Sequence, residues 1–222
     1  MLLFAQAESS ADIQDQIFDL VGNSIYGILA LLSLWGLYLV VMTWRRVGAK
    51  RFKHEKQLNE FVAVIEEPLL QKDFEGVAEI CDRDKRAMAQ LVYLAVLNRE
   101  LGYVQVRQLL ADRFRRDILA DLENRCSLIN TVVKSAPMVG LFGTVIGMMG
   151  AFGKLATADQ VDPAILAGNI MVALITTASG LAIAIPLTVM LAFINIRIRK
   201  MEDMVGAGLT RFLPALKQSL DD

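Results

Sequence analysis

The chain has 222 residues, of which 55 % are hydrophobic, with a mean hydropathy of +0.44 and a formal net charge of −1. That is too apolar for an ordinary soluble domain, and the near-zero total charge says nothing about partners because the charges are unevenly placed. Three uncharged stretches carry the hydropathy, residues 20–44, 135–153 and 163–196, of 25, 19 and 34 residues. About 20 apolar residues cross a bilayer core as a helix, and helices keep every backbone polar group paired there. The expected fold is an all-α membrane protein with three transmembrane helices and long cytoplasmic helical extensions.

In chain order, residues 1–21 hold Glu8, Asp12, Asp15 and Asp19 and no basic residue. Residues 8–21 place Ile13, Ile17, Phe18 and Val21 on one face, which fits an amphipathic surface helix. A solvated acidic lead-in fits equally. Residues 1–7 are apolar without a basic flank and are read as mature chain, not signal peptide. The first span, 22–44, has glycines but no ionisable group, and Trp44 sits at its end where aromatic rings settle at an interface. It reads as an anchor facing lipid.

Residues 45–134 carry 17 Lys/Arg and 14 Asp/Glu. Leu58, Phe61, Val62, Ile65 and Leu69 recur at helical spacing, and Pro68 is expected to end or kink that helix. Phe74, Val77, Ala78 and Cys81 predict a short helix. Two longer helical patterns cover 87–101 and 104–131, and the latter runs into the second span without a turn signal. Arg113, Arg115 and Arg116 read as a solvated face with i,i+4 carboxylates such as Asp112–Arg116. They are too few, and too balanced by acids, for a nucleic-acid surface. Cys81 and Cys126 lack metal-ligand spacing, and His54, the only histidine, reads as a surface residue.

Lysine and arginine placement orients the spans. Basic residues follow the first span (Arg45, Arg46, Lys50, Arg51), precede the second (Arg125, Lys134) and follow the third (Arg197, Arg199, Lys200). The expected organisation is a periplasmic segment 1–21, spans at 22–44, 135–156 and 167–196, a cytoplasmic domain 45–134, a periplasmic loop 157–166 and a cytoplasmic tail 197–222.

No enzyme motif emerges, and no cofactor or metal site is expected. The two later spans instead carry small and hydroxyl residues. Gly140, Gly143, Gly147 and Gly150 share a helical face, and Gly143–x–x–x–Gly147 is a small-xxx-small arrangement that lets helices approach closely. Ala173, Thr177, Gly180 and Ala184 repeat it in the third span. Two such faces in one short chain suggest several copies packed around an axis. Thr144 lies on the glycine face, with Thr177 and Thr176 on the third span. A membrane threonine ordinarily bonds its own backbone one turn back, but a hydroxyl that both donates and accepts can also hold water or a protonated carboxyl. Pro137 and Pro186 are expected to kink their helices.

Residues 136–147, Ala-Pro-Met-Val-Gly-Leu-Phe-Gly-Thr-Val-Ile-Gly, resemble the signature of the MotA/TolQ/ExbB proton-channel family, as do residues 173–186. Three spans with an outside N-terminus are similar to the TolQ/ExbB branch. The resemblance implies a homo-oligomer, a pentamer, around two copies of an ExbD/TolR-like single-span partner. The partner's membrane aspartate would carry the proton, with pore threonines at Thr144 and Thr177. It also implies a stator subunit of an inner-membrane motor, driven by proton motive force and transmitting energy to the cell envelope. The sequence departs from the pattern at Val172, where a glutamate is usual, and at Leu191-Ala192, where a Tyr-Asn pair is usual. A non-conducting scaffold and a sodium-driven member of the same family are the competing readings. A solute permease would need polar groups shaped to a substrate.

Overall fold

The computed structural model describes the backbone of residues 2–52, 54–157 and 163–221, and the side chains of 20, 22–52, 54–153, 164 and 166–220. Among these residues there are helices and no strands. Seven α-helices follow in order: α1 Leu2–Lys50, α2 Glu55–Leu70, α3 Phe74–Asp82, α4 Ala87–Leu97, α5 Tyr103–Arg113, α6 Ala120–Thr157 and α7 Pro163–Asp221. Three helical stretches, Gly22–Lys50, Tyr103–Gly153 and Leu166–Leu220, are long and apolar enough to cross a membrane.

The described residues form two compact units, to which α1, α6 and α7 each contribute. The first takes α1 through Val40, α6 from Leu128 and α7 through Leu191. In it Ile25, Leu29 and Gly36 of α1 are buried, while Leu31, Leu34, Leu37 and Tyr38 are exposed. A Cβ on Gly36 would lie 2.7 Å from Leu187 and 3.1 Å from Val132, so α1 packs closely on both partner helices. One face of the first span is therefore a packing face, beyond the lipid-facing anchor its composition suggested. The helix runs unbroken from the N-terminal segment into this span; the side chains of the expected amphipathic face at 13–21 lie outside the described ones, as do residues 158–162 of the expected loop.

The second unit is built on large side chains. The predicted stripe Leu58, Phe61, Val62, Ile65 and Leu69 of α2 is buried. Pro68 lies in the last turn, and the helix ends at Leu70, with Lys72 in the left-handed region at φ 60°. Asp73 caps α3 by accepting the Gly76 N–H at 3.0 Å. The thiol of Cys81 is buried, which pushes its pKa up to about 12, with Asp84 adding to the rise; it is an inert core residue.

Helix α4 is apolar all round and central, with seven of its residues buried. The single pattern expected over 87–101 divides: α4 stops at Leu97, a 3₁₀ turn spans Arg99–Leu101, and Gly102 turns the chain at φ +81°, which favours glycine. From Tyr103 the chain is helical without interruption to Thr157, as expected from the missing turn signal. The exception is a π-helical turn at Phe114–Leu119, which hydrophobic spacing does not reveal. Beside it the expected Asp112–Arg116 pair is replaced by an ion pair between Arg113 and Asp117. Asp121 of α6 joins Arg46 of α1 (3.1 Å) and Arg125 (3.2 Å). The Arg197 guanidinium stacks 3.4 Å over the Trp44 ring.

Candidate functional site

The first unit brings the three predicted threonines together. Glycine makes this possible. A Cβ on Gly140 would sit 2.7 Å from the Thr176 carbonyl oxygen, and one on Gly180 would sit 2.6 Å from that of Ala136. At both positions backbone meets backbone. At Gly143 the obstacle is the Thr176 side chain, at 2.7 Å, and at Gly147 it is the Ala173 Cβ, at 2.8 Å. The small faces of α6 and α7 thus close on each other within one chain. The sequence had suggested that they serve packing between copies; here they are occupied intramolecularly. Ala173 and Ala184 are buried on the same face of α7. Pro137 is half-buried and Pro186 exposed, and helix continues through both.

The hydroxyls converge on two carbonyls. The Gly140 oxygen is within reach of Thr144 Oγ1 (3.2 Å), Thr176 Oγ1 (3.0 Å) and Thr177 Oγ1 (3.1 Å). The Ala173 oxygen is within reach of Thr176 Oγ1 (2.7 Å) and Thr144 Oγ1 (3.1 Å). Thr144 and Thr177 also meet hydroxyl to hydroxyl. Each hydroxyl has a single proton to donate, so these contacts exceed the bonds that can form at once. The cluster can exchange one hydrogen-bond pattern for another by rotating hydroxyls, without moving a helix. Thr144 does bond its own helix one turn back, yet that bond is one of three choices.

Burial separates the three residues. Thr176 is 3 % exposed and bridges the helices from inside, while Thr144 and Thr177 are half-buried. Thr176 therefore fastens the two helices, and Thr144 and Thr177 are the more exposed members of the cluster. The surrounding spans contain no Asp, Glu, Lys, Arg or His in residues 135–153 or 163–196.

Two features were missed from the sequence. The carbonyls of Gly140 and Ala173 are hubs that no side-chain pattern marks. A cleft of about 470 Å³ lies beside the cluster, lined among others by Asn23, Tyr26, Asn169 and Thr176. The Tyr26 hydroxyl donates to the Val172 carbonyl at 3.2 Å, which ties α1 to α7. The isolated Asn and Tyr in apolar runs were the available signal, and the anchor reading of the first span passed over them.

The first unit thus presents helices long enough to span a membrane, fastened by small residues and hydroxyls around a site without charged side chains. The chain belongs to the MotA/TolQ/ExbB proton channel family, whose model matches residues 85–206. Among curated relatives, it is 38 % identical to the Tol-Pal system protein TolQ of Haemophilus influenzae over 44 % of this chain and 43 % of that protein. It is 26 % identical to the biopolymer transport protein ExbB of Pseudomonas putida over 83 % of this chain and 64 % of that one. The ExbB of Neisseria gonorrhoeae is 29 % identical over 61 % of this chain and 59 % of its own length. The chain thus spans from under half to just under two thirds of these relatives. They place it in the TolQ/ExbB-like branch.

Proposed function

We propose that this chain is the multi-pass inner-membrane subunit of a motor driven by proton motive force. It would assemble as a ring, a pentamer, around an ExbD/TolR-like single-span partner that brings a membrane aspartate. The observation that carries the reading is the Thr144–Thr177 hydroxyl pair, half-open and able to change hydrogen-bond partners, in two spans without a titrating group. An ionised carboxylate in lipid is costly unless hydrated or paired. Hydroxyls that swing away from the Gly140 and Ala173 carbonyls lower that cost at chosen positions, while a neutral carboxyl passes the apolar ones. One charge crossing about 100 mV releases roughly 2.3 kcal/mol, so several protons per step can drive work on the envelope. The basic residues flanking the spans support a periplasmic N-terminus, a cytoplasmic domain at 45–134 and a cytoplasmic C-terminus.

Thr144→Val and Thr177→Val test this, since Val keeps the shape of Thr and loses the hydroxyl. Both variants should assemble with the partner yet fail in proton flux and in the envelope function. Full activity in both would remove the pore role. One observation favours a second reading: all three hydroxyls already have partners inside the chain, as a non-conducting scaffold would require. A scaffold would keep working when the proton gradient is dissipated; the motor would stop. Replacing protons by sodium as the driving gradient separates the sodium-driven version.

A further inference from the structure

In the second unit α2 packs on α3, α3 on α4 and α4 on α5, and α7 touches α2 through Arg211–Asn59 and α5 through Lys217–Tyr103. Helices α2 and α5 each show an exposed stripe that the unit's own core does not use. On α2 it runs Glu60, Ala63, Glu67, Leu70, at offsets of three, seven and ten residues. On α5 and the π turn it runs Val104, Arg107, Ala111, Arg115, at offsets of three, seven and eleven. Residues so spaced line one side of a helix. The apolar ends are conspicuous, with Leu70 46 % and Val104 66 % exposed. Ala63, Glu67 and Leu70 also border a shallow groove of about 420 Å³.

We propose that the α2 stripe of one copy docks antiparallel on the α5 stripe of a second copy of this chain. This rests on the ring reading above and specifies one of its joints. Run in opposite directions, the stripes match position by position: Glu60 with Arg115, Ala63 with Ala111, Glu67 with Arg107, and Leu70 with Val104. Charge meets opposite charge twice, two alanines meet between them where the helices must come closest, and the exposed Leu and Val meet at the end. Seven residues separate the glutamates and eight the arginines, about 10.5 and 12 Å of straight helix; the wider π turn shortens the second span, and long side chains absorb the rest. Among the described residues no ion pair holds Glu67, Arg107 or Arg115. Glu60 has only the exposed Lys56 at 4.0 Å, a pair too weak to compete. Helix α2 carries four glutamates and one lysine, whereas Tyr103–Leu119 carries four arginines and two aspartates. Each copy therefore offers one acidic and one basic edge. This is a head-to-tail interface that closes into a ring or extends as a chain, and it cannot be a two-fold one.

The test is cross-linking in native membranes of a chain carrying Ala63→Cys and Ala111→Cys, with Cys81→Ala and Cys126→Ala. A short bismaleimide should convert most of the protein into a ladder of multimers, and either cysteine alone should give none. Glu67→Arg should cut the ladder about tenfold through like-charge contact, and Arg107→Glu added to it should restore the yield. No ladder from a sample whose ring is intact by native mass spectrometry overturns the joint and leaves the ring reading standing. A monomer in that measurement overturns both. Two charge reversals whose losses simply add also overturn it, as does an Arg107→Glu, Arg115→Glu chain that keeps its ladder but loses binding to anionic vesicles, which would assign the basic stripe to lipid.

Discussion

In one unit the helices meet where side chains are missing. Gly140 and Gly180 bring backbone against backbone, and hydroxyls reach across to carbonyls. In the other they meet where side chains are largest: Leu58, Met88, Leu91, Leu110, Leu122 and Phe212 are fully buried. Even the glycines there at a close approach, Gly76 and Gly208, face side chains, those of Asp73 and of Met88 and Leu58, instead of backbone. The difference follows from solvent. Lipid is as apolar as leucine, so helices gain little by burying leucine from it, and close packing and hydrogen bonds must hold them together. Apolar surface removed from water instead contributes about 25 cal/mol for each Å², a term that large buried side chains exploit.

The comparison breaks most sharply at Gly180. Leucine there must displace the Ala136 backbone, and since Pro137 follows, that backbone has few other conformations. We expect Gly180→Leu to cost about 4 kcal/mol or more and to leave no folded protein in detergent by size-exclusion chromatography. Gly27→Leu, with nothing within 4 Å of its Cβ, should be near neutral. Equal behaviour of the two would show that the glycine face is not what joins α6 to α7. Gly143→Ala should fall between them, because its obstacle is a side chain. In the other unit Leu91→Ala should cost about 2–5 kcal/mol by leaving a cavity, read as a lowered denaturation midpoint of the purified protein. A Leu→Ala change at exposed Leu141 should leave that midpoint unmoved in detergent.

Thr176→Val sharpens the same contrast at smaller scale. Interhelical hydrogen bonds in membranes average about 0.6 kcal/mol and reach about 1.7. The Gly140 carbonyl retains two other hydroxyls nearby, so the loss should sit at the low end of that range. A thermal shift of only a degree or two, together with retained assembly, would match. Collapse of the fold would mean that Thr176 carries more than its bonds indicate.

How much of this was legible depends on what each region signals. Helical spacing marked the core of α2 residue by residue, because burying large side chains leaves a period in the sequence. Glycines and threonines marked the membrane site for a related reason: those residue types are rarely tolerated together in an apolar helix without use. Backbone hubs leave no such trace. Gly140 and Ala173 were chosen as small residues, but nothing in a side-chain pattern says that their carbonyls collect hydroxyls. The π turn was invisible for the same reason, since one wider turn disturbs the apolar period too little to detect. The end of α4 was placed at 101 instead of 97 because Leu97 and Leu101 keep an apolar rhythm across the 3₁₀ turn, whereas the break at Gly102, with its positive φ, was legible.

The smallest effect concerns a surface feature of the second unit. Asp84 accepts the Arg86 backbone N–H at 2.9 Å and its Nε at 2.7 and 2.9 Å, and the guanidinium lies 4.1 Å over the Phe52 ring. Burial alone would raise the Asp84 pKa; the hydrogen bonds from Arg86 and its positive charge outweigh that and hold the carboxyl below the ordinary carboxylate range. A carboxyl with a lower pKa folded than unfolded contributes stability in full above the unfolded value, near 3.9, and loses it as pH falls through the folded value. Wild type and Asp84→Asn should therefore differ by a constant thermal shift above about pH 5. The gap should narrow as pH falls below about 4. A gap unchanged by acidification would mean that the Arg86 stack on Phe52, and not the carboxylate, sets the local stability.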